Sequence, residues 1–212
     1  MSTRMTRTFV VTGTDTGVGK TVFAAALAGA LGAHYWKPVQ CGLEPGTDSA
    51  RVEELSGLSK DKILPEAYRF EAALSPHRAA ELEGVTIDAS RINPPALDGS
   101  LVIEGAGGLM VPVKRELVFI DVFARWELPV IVCARTALGT INHTLLSLEA
   151  LRARQVPVLG VAFIGDENAD NVRTICDLGN VQNLGRLPRL DPLNGVTLRA
   201  AFAANFRLED FA

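Results

Sequence analysis

Five residues, TFVVT (8–12), run without a break into GTDTGVGKT (13–21) and on into the Ala/Leu-rich TVFAAALAGALG (21–32). This order constrains the fold more than any other feature of the chain. A continuous, β-branched apolar run is the pattern of a strand buried on both faces. The Ala/Leu segment stops at Gly32, a helix-end residue. A strand, a glycine-rich loop and a helix opening on Gly-Lys-Thr make the setting of a phosphate-binding loop. The simpler alternative is a glycine turn that merely starts a helix. The spacing is unusual. The common pattern puts a glycine five residues before Gly19, where Thr14 stands, and the nearest glycine, Gly13, is six before. The loop is therefore one residue wider, which lets Asp15 and Thr16 face a second substrate. A partition-type ATPase would carry a lysine at the place of Asp15, so an acid there argues against that branch.

The same alternation continues. HYWKPV (34–39), SLVIEGAGG (100–108), LPVIVCA (128–134), VPVLGVAFI (156–164) and NLGRLP (183–188) read as strands. INHTLLSLEALRARQ (141–155) and DNVRTICDLG (170–179) read as helices. The expected fold is a single-domain, three-layer α/β structure of the P-loop NTPase type, a parallel sheet with helices on both faces. Loops after the strands then share one edge, where ligands bind. Residues 41–98, rich in proline, read as loops and short helices, and 1–7 as a flexible tail before one domain over 8–212. With 212 residues, 48% apolar and 21% charged, the chain affords a core. A net charge of −3 gives no footprint for nucleic acid or an anionic membrane. No run is long enough to span a bilayer, and MSTRMTRT lacks the apolar region of a secretory signal. Three widely spaced cysteines form neither a disulfide framework nor a zinc pattern and suit a reducing cytoplasm.

Five residues are candidates for chemistry. Lys20 and the backbone of the loop would hold phosphate oxygens, and the Thr21 hydroxyl would bind Mg²⁺. Glu104 ends a buried run before GAGG, where an acid binds Mg²⁺ and the glycines admit a ligand to the backbone. Lys37, held extended by Pro38, ends a strand on the ligand edge and would offset phosphoryl charge. Asp48 reads equally as a helix N-cap. His34, His77 and His143 have no metal-spaced partners. Cys41 has no neighbouring base and is not expected to act as a nucleophile.

VTGTDTGVGKT, WKPVQCG, SPH, VIEGAGGLMVPV and GTINHTLLSLEAL stand in the order found in dethiobiotin synthetases, and over about residues 8–165 the chain resembles that family. The wider loop is this family's form. The resemblance implies ATP-dependent ring closure of 7,8-diaminopelargonate with carbon dioxide to dethiobiotin, through a carbamate and a carbamic–phosphoric anhydride. It implies Mg²⁺, ATP as co-substrate and a cytoplasmic homodimer. By position, Lys37, Lys20 and Thr16 are the catalytic set. Gly17, Val18, Gly19, Lys20, Thr21 and Val22 cradle the phosphates, beside Glu104, Gly105, Ala106 and Gly107. Thr21, Asp48 and Glu104 hold the metal, which lifts Asp48 above a capping role. Leu187, Pro188 and Arg189 form a base-side loop. Cys41, Gly139 and Asn142 contact substrate, the last two across a dimer interface. Three departures stand out. Cys41 replaces a common serine and Gly17 a frequent glutamate. FIGDEN (163–168) lacks the family's usual asparagine near Ile164-Gly165, leaving Asp166 or Asn168 to read the base. Glutaminase-coupled synthetases of the same branch would need a second domain, for which 212 residues leave no room.

Overall fold

The computed structural model describes residues 7–211. Apart from Arg7, the expected tail over 1–7 lies outside the described residues.

Seven strands form one parallel sheet. Its centre is β1 (Thr8–Gly13). To one side lie β6 (Leu101–Gly108), β2 (His34–Trp36) and the two-residue edge strand β4 (Ile63–Leu64). To the other lie β9 (Val130–Arg135), β10 (Val158–Ile164) and β11 (Asn183–Leu187). The prolines that introduce β9 and β10 have no N–H to donate, and each lends only its carbonyl. Pro129 accepts from Val10 N–H at 3.0 Å and Pro157 from Val130 N–H at 2.8 Å.

Side chains alternate across the sheet and both faces are buried, as the continuous apolar runs require. Phe9 and Val11 pack with α1 (Lys20–Leu31), α2 (Asp48–Ser56) and α7 (Gly195–Asn205). Val10, one residue out of phase, packs with α3 (Pro76–Leu82), α4 (Phe119–Trp126), α5 (Thr140–Ala153) and α6 (Ala169–Gly179). This is the expected three-layer fold in a single domain. Among the described residues, no helix is long and apolar enough to cross a membrane.

HYWKPV does not form one strand. Pro38 cannot donate to a ladder, so β2 stops at Trp36. The chain turns into β3 (Val39–Cys41), which pairs in parallel with β5 (Tyr68–Phe70) in a separate two-stranded sheet. The Pro38 carbonyl joins the two, accepting from Ala67 and Tyr68 N–H at 3.0 and 3.1 Å. Residues 41–98 therefore contain strands β4 and β5 besides the expected short helices. The antiparallel pair β7 (Pro112–Lys114) and β8 (Leu117–Val118) and the helices α4 and α7 are further elements that the sequence reading did not anticipate.

Candidate active site

The loop between β1 and α1 lies at the carboxyl edge of the sheet. Gly19 is the N-cap of α1 at φ 104°, and no side chain caps the helix. The first-turn N–H groups are thus left open toward an anion. The glycines are required here. A Cβ on Gly19 would lie 2.9 Å from Ile164 Cγ2, and one on Gly13 would lie 2.6 Å from Val18 Cγ2. The loop is tied to β9: Thr14 N–H donates to the Cys133 carbonyl at 3.1 Å, and Arg135 Nη2 donates to the Thr16 carbonyl at 3.2 Å. Lys20 folds back over it, its Nζ donating to the Asp15 carbonyl at 2.9 Å. Burial lowers the Lys20 pKa. Glu104 opposes that fall and Lys37 adds to it.

Beside the loop is a buried cluster of charge. Parallel pairing sets Tyr35 of β2 opposite Val102 of β6. Val102 and Glu104 share a sheet face, the one covered by α1, and there they meet Thr21 in the first turn of that helix. Glu104 is 1% exposed, and both its oxygens have donors. Oε1 faces Thr21 Oγ1 at 2.8 Å and Lys37 Nζ at 3.1 Å, while Oε2 accepts from Tyr35 Oη at 2.8 Å. Lys37 Nζ also pairs with Asp48 Oδ2 at 2.5 Å. Burial works against the Lys37 charge, but the two carboxylates outweigh it and hold its pKa above the ordinary lysine value. For Asp48, burial pushes the pKa up, and the charge and hydrogen bond of Lys37 with the bond from Thr21 bring it below the ordinary value. Burial, reinforced by Glu104, raises the Tyr35 pKa, so the phenol stays a donor.

The two readings of Asp48 separate here. The N-cap of α2 is Thr47, whose side chain accepts from Ala50 N–H at 3.1 Å. Asp48 is one residue inside the helix, and its carboxylate is free to face Lys37 and Thr21. Gln40 fixes its backbone: Oε1 accepts from Asp48 N–H at 3.1 Å, and Nε2 donates to the Gly42 carbonyl at 3.0 Å.

Thr21 Oγ1 has one proton but two carboxylate oxygens at 2.8 Å, Asp48 Oδ1 and Glu104 Oε1. Its lone pairs and these oxygens are hard donors converging on one point. Among the described residues no cluster of three or more His, Cys, Asp or Glu side chains could cage a metal. Two carboxylates and a hydroxyl fit Mg²⁺, which completes its shell with phosphate oxygens and water.

Two cavities meet at the loop. One, of about 730 Å³, is lined by Thr16, Lys20, Lys37, Asp48, Glu104 and Gly107 among others, and Cys41 is on its wall. The other, of about 680 Å³, is lined by Arg135, Thr136, Asp166, Glu167, Asn168 and Arg189 among others. Gly17 and Gly19 border both. A phosphate chain over the loop would thus have a chemistry side and a base side.

A protein family described as an AAA domain matches residues 7–197. ATP-dependent dethiobiotin synthetase BioD from Rhodopseudomonas palustris (strain HaA2) is 63% identical over 98% of this chain and 97% of its own length. The enzyme of that name from Agrobacterium fabrum is 62% identical, with 98% of each chain covered. The chain belongs to the ATP-dependent dethiobiotin synthetase family. Among solved structures, a ParA family ATPase from Chlorobium tepidum superimposes with a TM-score of 0.53 at 13% identity, over 94% of this chain and 92% of that one. The MinC:MinD cell division complex of Aquifex aeolicus gives 0.54 at 14%, over 92% and 86%. At such identities the likeness is one of fold.

The family departures have physical counterparts. A Cβ at Gly17 would lie 3.7 Å from Arg135 Nη2, so glycine here accompanies an arginine laid over the loop. Burial drives the Cys41 thiol up to about 11 against the pull of Lys37, which keeps it protonated and unsuited to nucleophilic attack. At the FIGDEN turn, Asn168 is occupied. It caps α6 by accepting from Asn171 N–H at 3.0 Å and donates to the Thr136 carbonyl at 3.3 Å. Asp166 is open to solvent, 3.6 Å from Arg189.

Of the residues expected at the site, Thr16, Gly17, Gly19, Lys20, Thr21, Val22, Lys37, Cys41, Asp48, Glu104, Ala106 and Gly107 come together in the first cavity. Val18 and Arg189 line the second, whereas Leu187 is buried in the core and reaches the base side through its carbonyl, which accepts from Gly165 N–H at 3.0 Å. Pro188 and Gly105 line neither cavity, and Gly105 instead packs on Phe123, where a Cβ would lie 2.8 Å from Cζ. Gly139 and Asn142 are exposed at the start of α5 and line neither cavity. Tyr35, Gln40 and Arg135 were not anticipated. Tyr35 reads as core, Gln40 as loop and Arg135 as a solvated strand end, because their roles arise from neighbours distant in sequence.

Proposed function

We propose that the chain closes the ureido ring of dethiobiotin from 7,8-diaminopelargonate, carbon dioxide and MgATP. One amine of the substrate takes up carbon dioxide as a carbamate, losing a proton. A carbamate oxygen attacks the γ-phosphorus and displaces ADP, leaving a carbamic–phosphoric anhydride. The second amine attacks the carbonyl carbon, phosphate leaves and the ring closes. The substrate brings both nucleophiles, so the protein supplies orientation and charge.

The observation that carries this reading is Lys37, buried at the floor of the cavity beside the phosphate loop and held between Asp48 and Glu104. Its ammonium, kept protonated at neutral pH, is placed to offset charge on the carbamate and γ-phosphate. Lys20 and the first-turn N–H groups of α1 bind phosphate oxygens, and Thr16 borders the reacting groups. Thr21, Asp48 and Glu104 would hold Mg²⁺, which neutralises phosphate charge when bound.

The functional unit we infer is a cytoplasmic homodimer of one synthetase domain per subunit, 8–212. In it Gly139 and Asn142 of one copy receive the substrate carboxylate of the other. The exposure of both residues supports this, as do Leu138 at 104%, Met110 at 57% and Leu146 at 56% exposure on the same side. The test is phosphate release with MgATP, bicarbonate and diaminopelargonate. Phosphate and dethiobiotin should form together and only with the diamine. ATP turnover that ignores the diamine and yields no ring product overturns the reading.

A further inference from the structure

Tyr35 lies outside the machinery assigned above, yet among the described residues it is the hydrogen-bond donor to Oε2 of the Glu104 carboxylate. Its side chain is fully buried, at 0% exposure, among the residues packed between the sheet and α1. Strand pairing sets its Cα opposite that of Val102, two residues before Glu104 on the same face of β6. From there the phenol reaches Oε2 at 2.8 Å. Oε1 alone is left toward Thr21 and Lys37. If the carboxylate rotated to present both oxygens to the cavity, it would strand a buried phenol without its acceptor, which a buried polar group resists.

We propose that Tyr35 is a positioning residue that restricts Glu104 to one-oxygen coordination and so makes the metal site discriminate against Ca²⁺. This rests on the reading of Thr21, Asp48 and Glu104 as the metal site. Mg²⁺ is small, demands near-octahedral geometry and takes a carboxylate through one oxygen in such a shell. Ca²⁺ takes six to eight oxygens and commonly takes a carboxylate through both. A glutamate with one oxygen locked away suits the first ion and handicaps the second. The lock stands in the layer behind the ligand, where a hydrogen-bonded partner orients what the metal sees.

The experiment uses the full chain with a non-hydrolysable ATP analogue and Mn²⁺ as the paramagnetic probe, with Mg²⁺ and Ca²⁺ as competitors. Three proteins are compared: wild type, Glu104→Gln and Tyr35→Phe. Glu104→Gln should weaken Mn²⁺ binding strongly. Tyr35→Phe should weaken Mn²⁺ and Mg²⁺ by about tenfold, the lower end for loss of such a partner. Ca²⁺ should weaken less, so that the Mg²⁺ preference shrinks. A role confined to packing would lower the melting temperature and leave all three ion affinities and their ratio alone, and that result overturns the proposal. If Glu104→Gln binds Mn²⁺ like the wild type, the metal reading fails and the role of Tyr35 with it. If that control loses the metal while Tyr35→Phe keeps wild-type selectivity, the role of Tyr35 alone fails. Should Tyr35→Phe not fold, wild type decides: Mg²⁺ displacing the probe at lower concentration than Ca²⁺ supports the proposal, and equal displacement overturns it.

Discussion

On the chemistry side of the phosphate loop, Glu104 is 1% exposed and Lys37 4%. Each has charged partners on elements far apart in sequence. On the proposed base side, Asp166 and Arg189 have side chains 81% and 78% exposed and pair with each other at 3.6 Å. The backbone beneath that pair is nonetheless fixed. Gly165 N–H donates to the Leu187 carbonyl at 3.0 Å, and the Gly165 carbonyl accepts from Arg186 at 2.9 Å. What differs is the side chains. One end has its charges set before any ligand arrives, which is what charge stabilisation of a transition state requires. The other is a shaped wall bearing exposed, loosely paired side chains, which on the proposed reading would hold a base and choose poorly among bases.

The sharpest break of this comparison is at Lys37. Lys37→Ala should lower kcat by about 10²–10³-fold, the usual loss when one preorganised donor to developing charge is removed. Nucleotide binding, made mostly by the loop backbone, should be largely kept. An unchanged kcat in steady-state assays would remove Lys37 from the mechanism. The second largest effect is at Gly19. At φ 104° a side chain is strained, and its Cβ would press on Ile164. Gly19→Ala should cost about 1–3 kcal/mol. If the loop relaxes to relieve the strain, the affinity for an ATP analogue falls by about 5–150-fold. Calorimetric titration and a thermal melt together read both outcomes, and a variant that matches wild type in each would show that the loop is not held as the geometry implies.

The sheet was legible because its strands are buried on both faces, which leaves continuous apolar runs such as TFVVT and LPVIVCA. The phosphate loop, Lys37 and Glu104 were legible because each ends or follows such a run. Three-residue strands like β3 and β5 were not, since each exists only by pairing with the other. Asp48 was ambiguous because Thr47 and Asp48 are both capping residues, and the hydrogen bond to Ala50 decides between them. The signal for α7 was present and unread: Asn194 and Thr197 form a reciprocal capping box ahead of LRAAFAAN. Tyr35 had no local signal, because a tyrosine in a short strand, here between His34 and Trp36, is ordinarily core.

A smaller effect tests how the chemistry side depends on pH. The folded state depresses the Asp48 pKa, chiefly through Lys37 acting against burial. Such a carboxylate contributes stability that is present above its unfolded value, about 3.9, and is lost as pH falls through the lower folded value. The raised pKa of Lys37 gives the complementary limb, full below the ordinary lysine value and lost as pH rises through the folded one. The stability gap between wild type and Lys37→Met should therefore narrow as melts are taken to pH values below about 4. A gap constant from neutral pH to pH 2.5 would show that packing of the lysine stem, and not its charge, joins the two residues.

The smallest effects belong to the base side, and they decide whether its looseness is real. An exposed ion pair is worth at most about 1 kcal/mol, so Asp166→Ala or Arg189→Ala should shift the KM for ATP by less than about fivefold. Selectivity follows the same logic. Strong discrimination needs a fixed donor and acceptor whose partners are left unsatisfied by the wrong ligand. Asn168, the one amide side chain in the turn, is already committed to Asn171 N–H and the Thr136 carbonyl. The remaining polar side chains of the FIGDEN turn, Asp166 and Glu167, are exposed carboxylates, which accept but do not donate and which no buried partner fixes. In a competition panel ATP should therefore lead the other nucleoside triphosphates by less than about tenfold, or 1.4 kcal/mol. A hundredfold lead would mean that a side chain leaves its present partner to read adenine. Asn168→Ala would then identify it, because the variant would lose the preference and with it the cap of α6.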